Sequence, residues 1–372
     1  MSKKRLKKLA VIFEDSRYGG PHYQFVNNYS FLIKNFDTKV FISNLENKIF
    51  KKNLNSKKIV FKESKIYYLS LNLKKFFFYF IYFFKDITTI RKFLENNKIE
   101  IVYVAGGSNN FKTIIACFNL KVKIIWHIHD THSNWFLLKI FQKLHIYCSK
   151  IIFASNRSKY FYTKFLNRKF SNIVLQSSIE DRKIKKVNLS NHKFTVGTVG
   201  NFNKIKNQLF FLKIANSFKK DKNVSFEILG NVWETQETYY QSCLRYISRN
   251  KLKNVKIIHN CKDVIANIRK FDVFILTSLY ESSPIVLWEA MSQKKPIIST
   301  DVGDLRYFMR LKKFGYIIND YDEKKFIFAI KSIQKNRKIR KIFSENSYYS
   351  FKKNFTKKNY EKKFLNFVRN II

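Results

Sequence analysis

One segment of the sequence, SLYESSPIVLWEAMSQKKPIISTDVGD, combines an acidic side chain with a pattern typical of a phosphate-binding helix start. Glu281 lies in a short loop after a strand pattern. Ser283 is a suitable N-cap and Pro284 a suitable first helical residue. The backbone N–H groups of Ile285 and Val286 would then have no partner within the helix, and such a helix end binds phosphate. The segment therefore predicts an anion site beside a carboxylate.

A second acidic residue, Glu289, follows in the same helix. It lies roughly 9 Å along the helix axis from Ser283. Its neighbours Leu287, Trp288 and Met291 are apolar. A carboxylate among apolar neighbours needs polar partners, and sugar hydroxyls are suitable ones. The alternative is an exposed charge on an amphipathic helix.

A lysine follows a glycine-containing strand end in VGTVGNFNKIKNQLFFLKIA. Lys206 lies in register with Gly200 and Asn207. A fixed cation there would stabilise the negative charge of a departing diphosphate. In a chain with so many lysines, the alternative for Lys206 is a solvated surface side chain.

Three histidines cluster in WHIHDTH, where another strand pattern ends. His127 and His129 share one face of the strand, and His132 follows. Because no carboxylate or cysteine completes a convincing ligand set, we do not expect zinc. For His129 the alternatives are a ligand contact and a satisfied histidine at the strand end.

Strand patterns alternate with helical ones along the whole chain, which predicts an α/β protein with parallel sheets. The strand patterns lie at 9–13, 39–43, 99–107, 123–129, 150–155, 194–202, 224–230, 255–259, 272–278 and 296–303. We predict two tandem doubly wound domains, 1–180 and 194–355, joined by a polar linker, 181–193. The amphipathic helix 356–372 is expected to pack back on the first domain. Ligands bind beyond the carboxyl ends of such strands, so a cleft between the domains is the predicted site.

The spacing of Glu281 and Glu289 resembles the glutamate, seven residues, glutamate signature of the retaining GT-B glycosyltransferases of group 1 (family 4-like). The resemblance implies a GT-B fold, with two Rossmann-like domains facing each other across a cleft. It further implies that Glu281 contacts the transferred sugar, that Glu289 holds the ribose, and that backbone around Ser283–Val286 holds the diphosphate. Lys294 departs from the pattern, since the family usually has a glycine there.

The stretch around Lys206 is also similar to this family. Lys206 matches the lysine that contacts the donor phosphates. Asn201 stands where the family usually has an arginine, which removes one cation from the leaving-group site. Lys204 is the candidate replacement for that cation.

Two features of the first half match the family more loosely. His129 and Asp130 are similar to a His-Asp pair whose histidine touches the donor sugar. Gly19 and Gly20 resemble the family's first glycine loop, which lies against donor and acceptor. Glycines there let backbone approach a ligand closely, although a simple turn is the alternative.

The resemblance implies transfer of a sugar from a nucleotide-diphosphate sugar to a glycan or lipid-linked acceptor, with retention of configuration. Surface polysaccharide or lipopolysaccharide synthesis is the expected context. No cofactor or metal is expected. The alternative is a GT-B relative that binds, hydrolyses or epimerises a nucleotide sugar without transfer.

The formal charge of +46 suggests a nucleic-acid-binding protein as a further alternative. However, the charge is spread evenly, at +22 in residues 1–180 and +24 in residues 181–372. Arginine supplies only 14 of the 72 basic residues, although arginine makes the bidentate contacts to bases and phosphates. The excess of Lys, Asn, Ile and Phe is typical of an AT-rich genome. We therefore expect no nucleic-acid partner, while an anionic membrane surface stays open.

The most apolar run, Phe76–Phe84, lies inside a helical pattern of about Leu73 to Asn97. It is far shorter than the roughly 20 residues that span a bilayer. It is either a buried core helix or an aromatic helix on a membrane surface, flanked by Lys74, Lys75 and Lys85. Four cysteines without metal or redox spacing favour a reducing compartment. The expected location is cytoplasmic, with peripheral attachment to the inner face of the membrane as an option.

Overall fold

The computed structural model describes residues 5–70, 72–164, 166, 170–184 and 193–372. The chain forms two compact units. The first is Met1–Ser177 with Lys357–Ile372, and the second is Ser178–Thr356. The second unit thus begins before the predicted boundary at residue 180 and takes in the start of the predicted linker. Residues 185–192 of that linker lie outside the described residues.

Within the described residues, the first unit is built on parallel strands in the order β3-β2-β1-β4-β5-β6-β7. The strands are β1 (Lys8–Phe13), β2 (Asp37–Ser43), β3 (Lys62–Ser64), β4 (Ile101–Gly106), β5 (Lys123–Ile128), β6 (Lys150–Phe153) and β7 (Asn172–Val174). The helices are α1 (Gly20–Asn35), α2 (Lys48–Ser56), α3 (Leu73–Ile81), α4 (Phe83–Asn96), α5 (Phe111–Ala116), α6 (Trp135–Leu144) and α7 (Asn156–Thr163).

Strand β1 shows why this sheet has helices on both faces. Its residues from Leu9 to Phe13 are fully buried. Leu9, Val11 and Phe13 belong to one apolar cluster, whereas Ala10 and Ile12 belong to another. Because side chains alternate along a strand, the two clusters lie on opposite faces of the sheet. A central parallel strand must therefore be apolar throughout, as the sequence of β1 is.

The second unit repeats the plan, with described strands in the order β10-β9-β8-β11-β12-β13, all parallel. The strands are β8 (Phe194–Val199), β9 (Val224–Leu229), β10 (Val255–Ile258), β11 (Val273–Leu276), β12 (Ile297–Thr300) and β13 (Gly315–Ile318). The helices are α8 (Gln208–Ser217), α9 (Glu237–Asn250), α10 (Val264–Ile268), α11 (Ile285–Ser292), α12 (Leu305–Leu311), α13 (Glu323–Lys335) and α14 (Arg337–Asn354). Single turns of 3₁₀ helix occur at His145–Tyr147, Glu234–Gln236 and Arg369–Ile371.

The last helix, α15 (Lys357–Val368), belongs to the first unit. Its residues Tyr360, Phe364 and Val368 are buried in the apolar cluster that also contains Leu9. The ring of Phe364 meets that of Phe31 edge-on, with centroids 5.8 Å apart. The three side chains recur at a spacing of four residues, which puts them on one face of the helix.

The predicted α/β class with two doubly wound parallel sheets is confirmed. The helical pattern from Leu73 to Asn97 is broken, because Tyr82 separates α3 from α4. Of the two interpretations of the aromatic run, the buried core helix is wrong, because Phe77 and Phe84 expose 67% and 78% of their surface.

Candidate functional site

An ion pair at the carboxyl ends of β8 and β11 forms the centre of the candidate site. The Nζ of Lys206 lies 2.5 Å from Oε1 of Glu281. The hydroxyl of Ser278 donates to the same oxygen at 2.8 Å. The side chain of Lys206 is 26% exposed and that of Glu281 is 14% exposed, so a ligand in solution can reach both. Strands β8 and β11 are neighbours in the sheet, and β8 is the point where the strand order reverses. Ligands of open α/β sheets bind at such a point.

The loop that carries Lys206 is held by hydrogen bonds between its backbone and the side chains of Asn203 and Thr277. The side-chain oxygen of Asn203 accepts the N–H of Lys206 at 2.9 Å, and Asn207 adopts the left-handed conformation with φ 52°. The Thr277 hydroxyl donates to the carbonyl oxygens of Lys206 and Asn207, at 3.0 and 3.1 Å. These bonds fix the lysine next to the end of β11.

Helix α11 begins one residue later than predicted. Pro284 is its N-cap, with φ −72° and ψ 100°, and Ile285 is the first helical residue. Ser283 therefore is not the N-cap, and its hydroxyl oxygen instead accepts the indole N–H of Trp288 at 3.3 Å. Ile285 and Val286 are partly exposed in the first turn. The N–H groups of Ile285 and Val286, the first two helical residues, have no acceptor within the helix, so this helix start can still bind an anion.

Glu289 is buried, with 8% of its surface exposed. The interpretation of this residue as an exposed helix charge is therefore wrong. Its helix neighbours Trp288, Ala290 and Met291 are fully buried, and Trp288 stacks on Phe355 with ring centroids 3.6 Å apart. The carboxylate is thus held on a helix that packing fixes in place.

Two glycines allow the loops of this edge to approach each other. A Cβ on Gly303, which has φ +53°, would lie 2.5 Å from the carbonyl oxygen of Ser282. A Cβ on Gly230 would lie 2.1 Å from the carbonyl oxygen of Gly200. Both distances are too short for a side chain. The glycines at these two positions are therefore required by the protein itself.

Asn201 has a structural role in the loop after β8. Its side-chain oxygen accepts the N–H of Asn231 at 3.2 Å, and its carbonyl oxygen accepts from Gln208 at 3.0 Å. The amide thus joins the loops that follow β8 and β9. Lys204, the candidate replacement for the missing cation, is exposed to solvent.

Lys294, the other departure from the glycosyltransferase pattern, ends helix α11 in the left-handed conformation with φ 55°. A glycine would adopt this conformation without a Cβ penalty. The Nζ of Lys294 pairs with Glu345 at 2.9 Å. This departure therefore concerns helix geometry and a surface ion pair.

In the first unit, Gly19 and Gly20 form the start of α1. The N–H of Gly19 donates to Nδ1 of His22 at 3.2 Å, and Nε2 of His22 donates to the carbonyl oxygen of Asp15 at 2.8 Å. Burial lowers the pKa of His22 to about 4, so the ring is neutral, as these two roles require. A Cβ on Gly20 would have no heavy atom within 4 Å. The protein itself therefore does not require a glycine at position 20.

His129 follows β5 directly, and its N–H donates to the carbonyl oxygen of Gly106 at 3.1 Å. Burial, together with the nearby His22, lowers the pKa of His129 to about 3. The imidazole is neutral at physiological pH and can exchange hydrogen bonds with a sugar. Asp130 has a structural role, because its Oδ2 accepts the N–H of Ser108 at 2.7 Å and the hydroxyl of Tyr162 at 3.1 Å.

The zinc alternative finds no support in the described part of the chain. No three His, Cys, Asp or Glu side chains there are arranged to hold a metal ion. His127 is buried and is hydrogen-bonded through Nδ1 to the hydroxyl of Tyr103.

Sequence reasoning missed the hydroxyl residues that support the site. Besides Ser278 and Thr277, the hydroxyl of Thr300 donates to the carbonyl oxygen of Ser278 at 2.7 Å. Tyr321 reaches the same oxygen at 3.4 Å. The available signal was the Thr-Ser pair that follows β11 and the Ser-Thr pair that ends β12, two neighbouring parallel strands.

A family model and two relatives match this sequence. Residues 179–349 match the model for glycosyl transferases of group 1. One relative, EpsF of Bacillus subtilis, is 31% identical over 114 residues. Its name describes it as a glycosyltransferase. That alignment covers 29% of this chain and 28% of EpsF, so this chain spans less than a third of that relative's length. An Escherichia coli protein is 24% identical over 289 residues, covering 70% of this chain and 73% of that protein. It is named UDP-Gal:α-D-GlcNAc-diphosphoundecaprenol α-1,3-galactosyltransferase.

The fold has a close match among solved structures. HepE of Anabaena, crystallised with UDP, superposes with a TM-score of 0.82 at 15% identity. The match covers 98% of this chain and 100% of HepE. The two sheets described above therefore form the fold of a GT-B protein. The group 1 match lies in the second unit, and the likeness to HepE extends over both sheets.

Proposed function

We propose that this protein transfers a sugar from a nucleotide-diphosphate sugar to a glycan or lipid-linked acceptor, with retention at the anomeric carbon. We further propose a role in surface polysaccharide or lipopolysaccharide synthesis. The observation that carries the proposal is the pairing of Lys206 with Glu281 at the sheet edge where α11 begins. HepE was crystallised with UDP, and the Escherichia coli relative is named for a UDP-sugar donor and a diphosphoundecaprenol acceptor.

The donor's nucleotide half would be held by the second unit. The first-turn N–H groups of Ile285 and Val286, with the backbone of Ser283 and Pro284, would bind the diphosphate. Glu289, buried and held by a packed helix, would accept hydrogen bonds from the ribose hydroxyls. Asn201 would contribute the backbone of its loop to the donor site.

The sugar would be held between charged and neutral groups. Glu281 would accept hydrogen bonds from the transferred sugar, and Lys206 would neutralise the diphosphate as it leaves. From the first unit, the neutral ring of His129 would contact the sugar. The open side of Gly20, with Gly19, would admit backbone contact with donor or acceptor.

The reaction would be a front-side displacement. The bond between the anomeric carbon and the phosphate oxygen breaks, and the acceptor oxygen forms its bond on the same face. The acceptor proton moves to the departing phosphate oxygen. The cation of Lys206 and the helix start supply the charge stabilisation, and we propose that no metal or cofactor is needed.

One observation favours a second candidate, a GT-B protein that binds or hydrolyses a nucleotide sugar without transfer. Asn201 stands in place of a cation and is committed to the loop contact with Asn231. The leaving group then has one positive charge fewer than the family pattern supplies. A protein of this kind would bind the donor but give no glycosylated product.

The test begins with thermal unfolding in the presence of UDP-, GDP- and ADP-sugars, since only a bound donor raises the melting temperature. The stabilising sugar is then incubated with and without a lipid-diphosphate glycan acceptor. Acceptor-dependent product whose anomeric configuration by NMR matches the donor supports the proposal. Nucleotide release that is equal with and without acceptor favours the second candidate. Salt-dependent binding of DNA without any donor effect would contradict both.

We propose a cytoplasmic location, peripheral on the inner face of the membrane, where a lipid-linked acceptor is presented. Fractionation of cells that produce the protein tests this placement. Recovery in the membrane fraction at low salt and release at high salt is the expected result. Recovery entirely in the soluble fraction at low salt would contradict it.

A further inference from the structure

The outward side of α3 and of the first turn of α4 is covered with apolar side chains that no other described part of the chain covers. They expose between 46% and 85% of their surface. They are Leu73, Phe76, Phe77, Phe80, Ile81 and Phe84. The spacing of three and four residues places the five side chains of α3 on one helical stripe, and Phe84 follows in the first turn of α4. We call these six side chains the apolar face. Large apolar groups gathered on one exposed side mark an interaction surface.

The opposite side of the same helices fixes the direction of the apolar face. The ring of Tyr82 stacks on Tyr67 with centroids 4.9 Å apart, and Tyr79 is buried. The Nζ of Lys112 lies 3.9 Å from the centre of the Tyr79 ring and 2.6 Å from Oδ2 of Asp86. Because these buried contacts use the inward side chains, the helix cannot turn its outward phenylalanines into the core without breaking a buried ion pair.

Four lysines lie on the two helices of the apolar face or in the groove beside them. Lys74 and Lys85 lie on the same two helices and are exposed. Lys65 and Lys75 line the adjacent groove with Glu46, and the Nζ of Lys75 lies 2.5 Å from Oε1 of Glu46. The four lysines against one glutamate give the rim of the apolar face a net positive charge.

We propose that the apolar face docks on an anionic phospholipid bilayer. The phenylalanines enter the boundary between headgroups and acyl chains, and the surrounding lysines bind lipid phosphates. No helix within the described residues has the length and apolarity to cross a membrane. The proposed attachment is to one surface of the bilayer. The apolar face would be the membrane contact of the proposed function. The inference rests on the proposed function only in that a lipid-linked acceptor explains why the enzyme binds a membrane.

Charge distinguishes a bilayer from a second copy of this chain. A symmetric dimer through the apolar face would bring the same lysines together, and like charges across an interface are unfavourable. An anionic lipid surface instead complements them. Exposed phenylalanines beside lysines are the composition of helices that lie in a membrane interface.

The test is co-flotation of the full-length protein with vesicles of phosphatidylcholine containing 0 or about 30% phosphatidylglycerol, a composition chosen to give a surface potential. We expect binding only to the anionic vesicles. Phe76→Ser, Phe77→Ser and Phe80→Ser combined should lower the partition coefficient by about 100-fold or more. Lys74→Glu with Lys85→Glu should lower it by at least about 25-fold, or fivefold for each lysine.

Matched controls lie in the second unit. Phe328 is as exposed as Phe77, and Lys338 is an exposed lysine. Phe328→Ser and Lys338→Glu should leave vesicle binding unchanged. Thermal stabilisation by UDP, measured on the same preparations, should be equal in all variants. This readout separates failure of the docking surface from failure of the proposed function or of folding.

Three results would overturn the inference. The first is equal binding, or equal absence of binding, with neutral and anionic vesicles. The second is a loss of binding in the Phe328→Ser control as large as in the triple variant. The third is a concentration-dependent dimer in sedimentation that the triple variant abolishes, which would assign the apolar face to a second copy.

Discussion

Replacing Lys206 by methionine tests the candidate site most directly, because the change removes a cation that the structure places against one defined carboxylate. Methionine has nearly the length of lysine, so the packing of the loop is retained. The side chains of Asn203 and Thr277 hold the loop through hydrogen bonds to the backbone of Lys206, and the substitution leaves these bonds in place. The pair is partly exposed, so its loss should cost at most about 1 kcal/mol of stability.

The effect on ligand binding should be much larger. Without Lys206, the carboxylate of Glu281 keeps the hydroxyl of Ser278 as a hydrogen-bond partner and no longer has a cation beside it. A diphosphate oxygen roughly 5 Å from that carboxylate would be repelled by about 3 kcal/mol at an effective dielectric constant of 20. That energy corresponds to roughly 150-fold in Kd for UDP. The Lys206 ammonium group would also stabilise the charge of the departing diphosphate. Its loss should therefore lower kcat by a further factor of about 100 to 1,000.

The double variant Lys206→Met with Glu281→Gln distinguishes two causes of weaker binding. One is repulsion between the Glu281 carboxylate and the diphosphate, and the other is the lost attraction between Lys206 and the diphosphate. Because glutamine carries no charge, UDP affinity should recover by at least tenfold over the single variant, while transfer stays low. Isothermal titration with UDP and a transfer assay provide the two readouts. Lys294→Met, which breaks the surface pair with Glu345, is the matched control and should leave both unchanged. Wild-type affinity and turnover in Lys206→Met would refute the reasoning.

Four further substitutions test the candidate site and other parts of the structure. Glu281→Ala should abolish transfer with an unchanged circular dichroism spectrum, and an active variant would remove this residue from the site. Gly230→Ala should lower unfolding free energy by about 1–3 kcal/mol in urea titrations, because its Cβ would lie 2.1 Å from the Gly200 oxygen. Gly20→Ala should be neutral or stabilising by up to about 1 kcal/mol, so a fall in activity without a fall in stability would identify backbone contact with a ligand. Burial raises the pKa of Glu14 to about 7, so its contribution to stability is present below pH 4.5 and is lost as the pH rises to 7. Glu14→Gln should therefore gain about 1–3 kcal/mol relative to wild type between pH 5 and pH 8, whereas a difference that does not vary with pH would contradict this assignment.

The proximity of Lys206 and Glu281 follows from rules that a sequence can carry. Both side chains come just after strands, and parallel strands present their carboxyl ends at one edge. In the doubly wound order, the first and fourth strands of the unit, β8 and β11, lie side by side. The apolar neighbours of Glu289 likewise indicated a carboxylate that needs polar partners because it is not exposed to solvent. The burial of Glu289 agrees with that reasoning.

Other features depend on tertiary packing that no local pattern encodes. The start of α11 differs by one residue because Pro284 takes an extended ψ while Ser283 bonds to Trp288. Strands β3 and β7 have three residues each, too few for a periodic signal. The aromatic run is apolar on both sides of its helix, so hydrophobicity cannot show which side meets the core. The contacts of Lys112 with Tyr79 and Asp86, and of Tyr67 with Tyr82, show which side of the helix meets the core.

The return of α15 to the first unit joins segments that are far apart in the sequence into one folding event. Tyr360, Phe364 and Val368 complete a core that also contains Leu9, so the nascent first unit lacks part of its interior until α15 has been synthesised. Domains usually fold in the order in which the ribosome releases them, but here the first to emerge is the last to be finished. A premature stop before Lys357 would leave a groove on the sheet where the missing helix belongs, and the truncated product would be a substrate for chaperones and proteases.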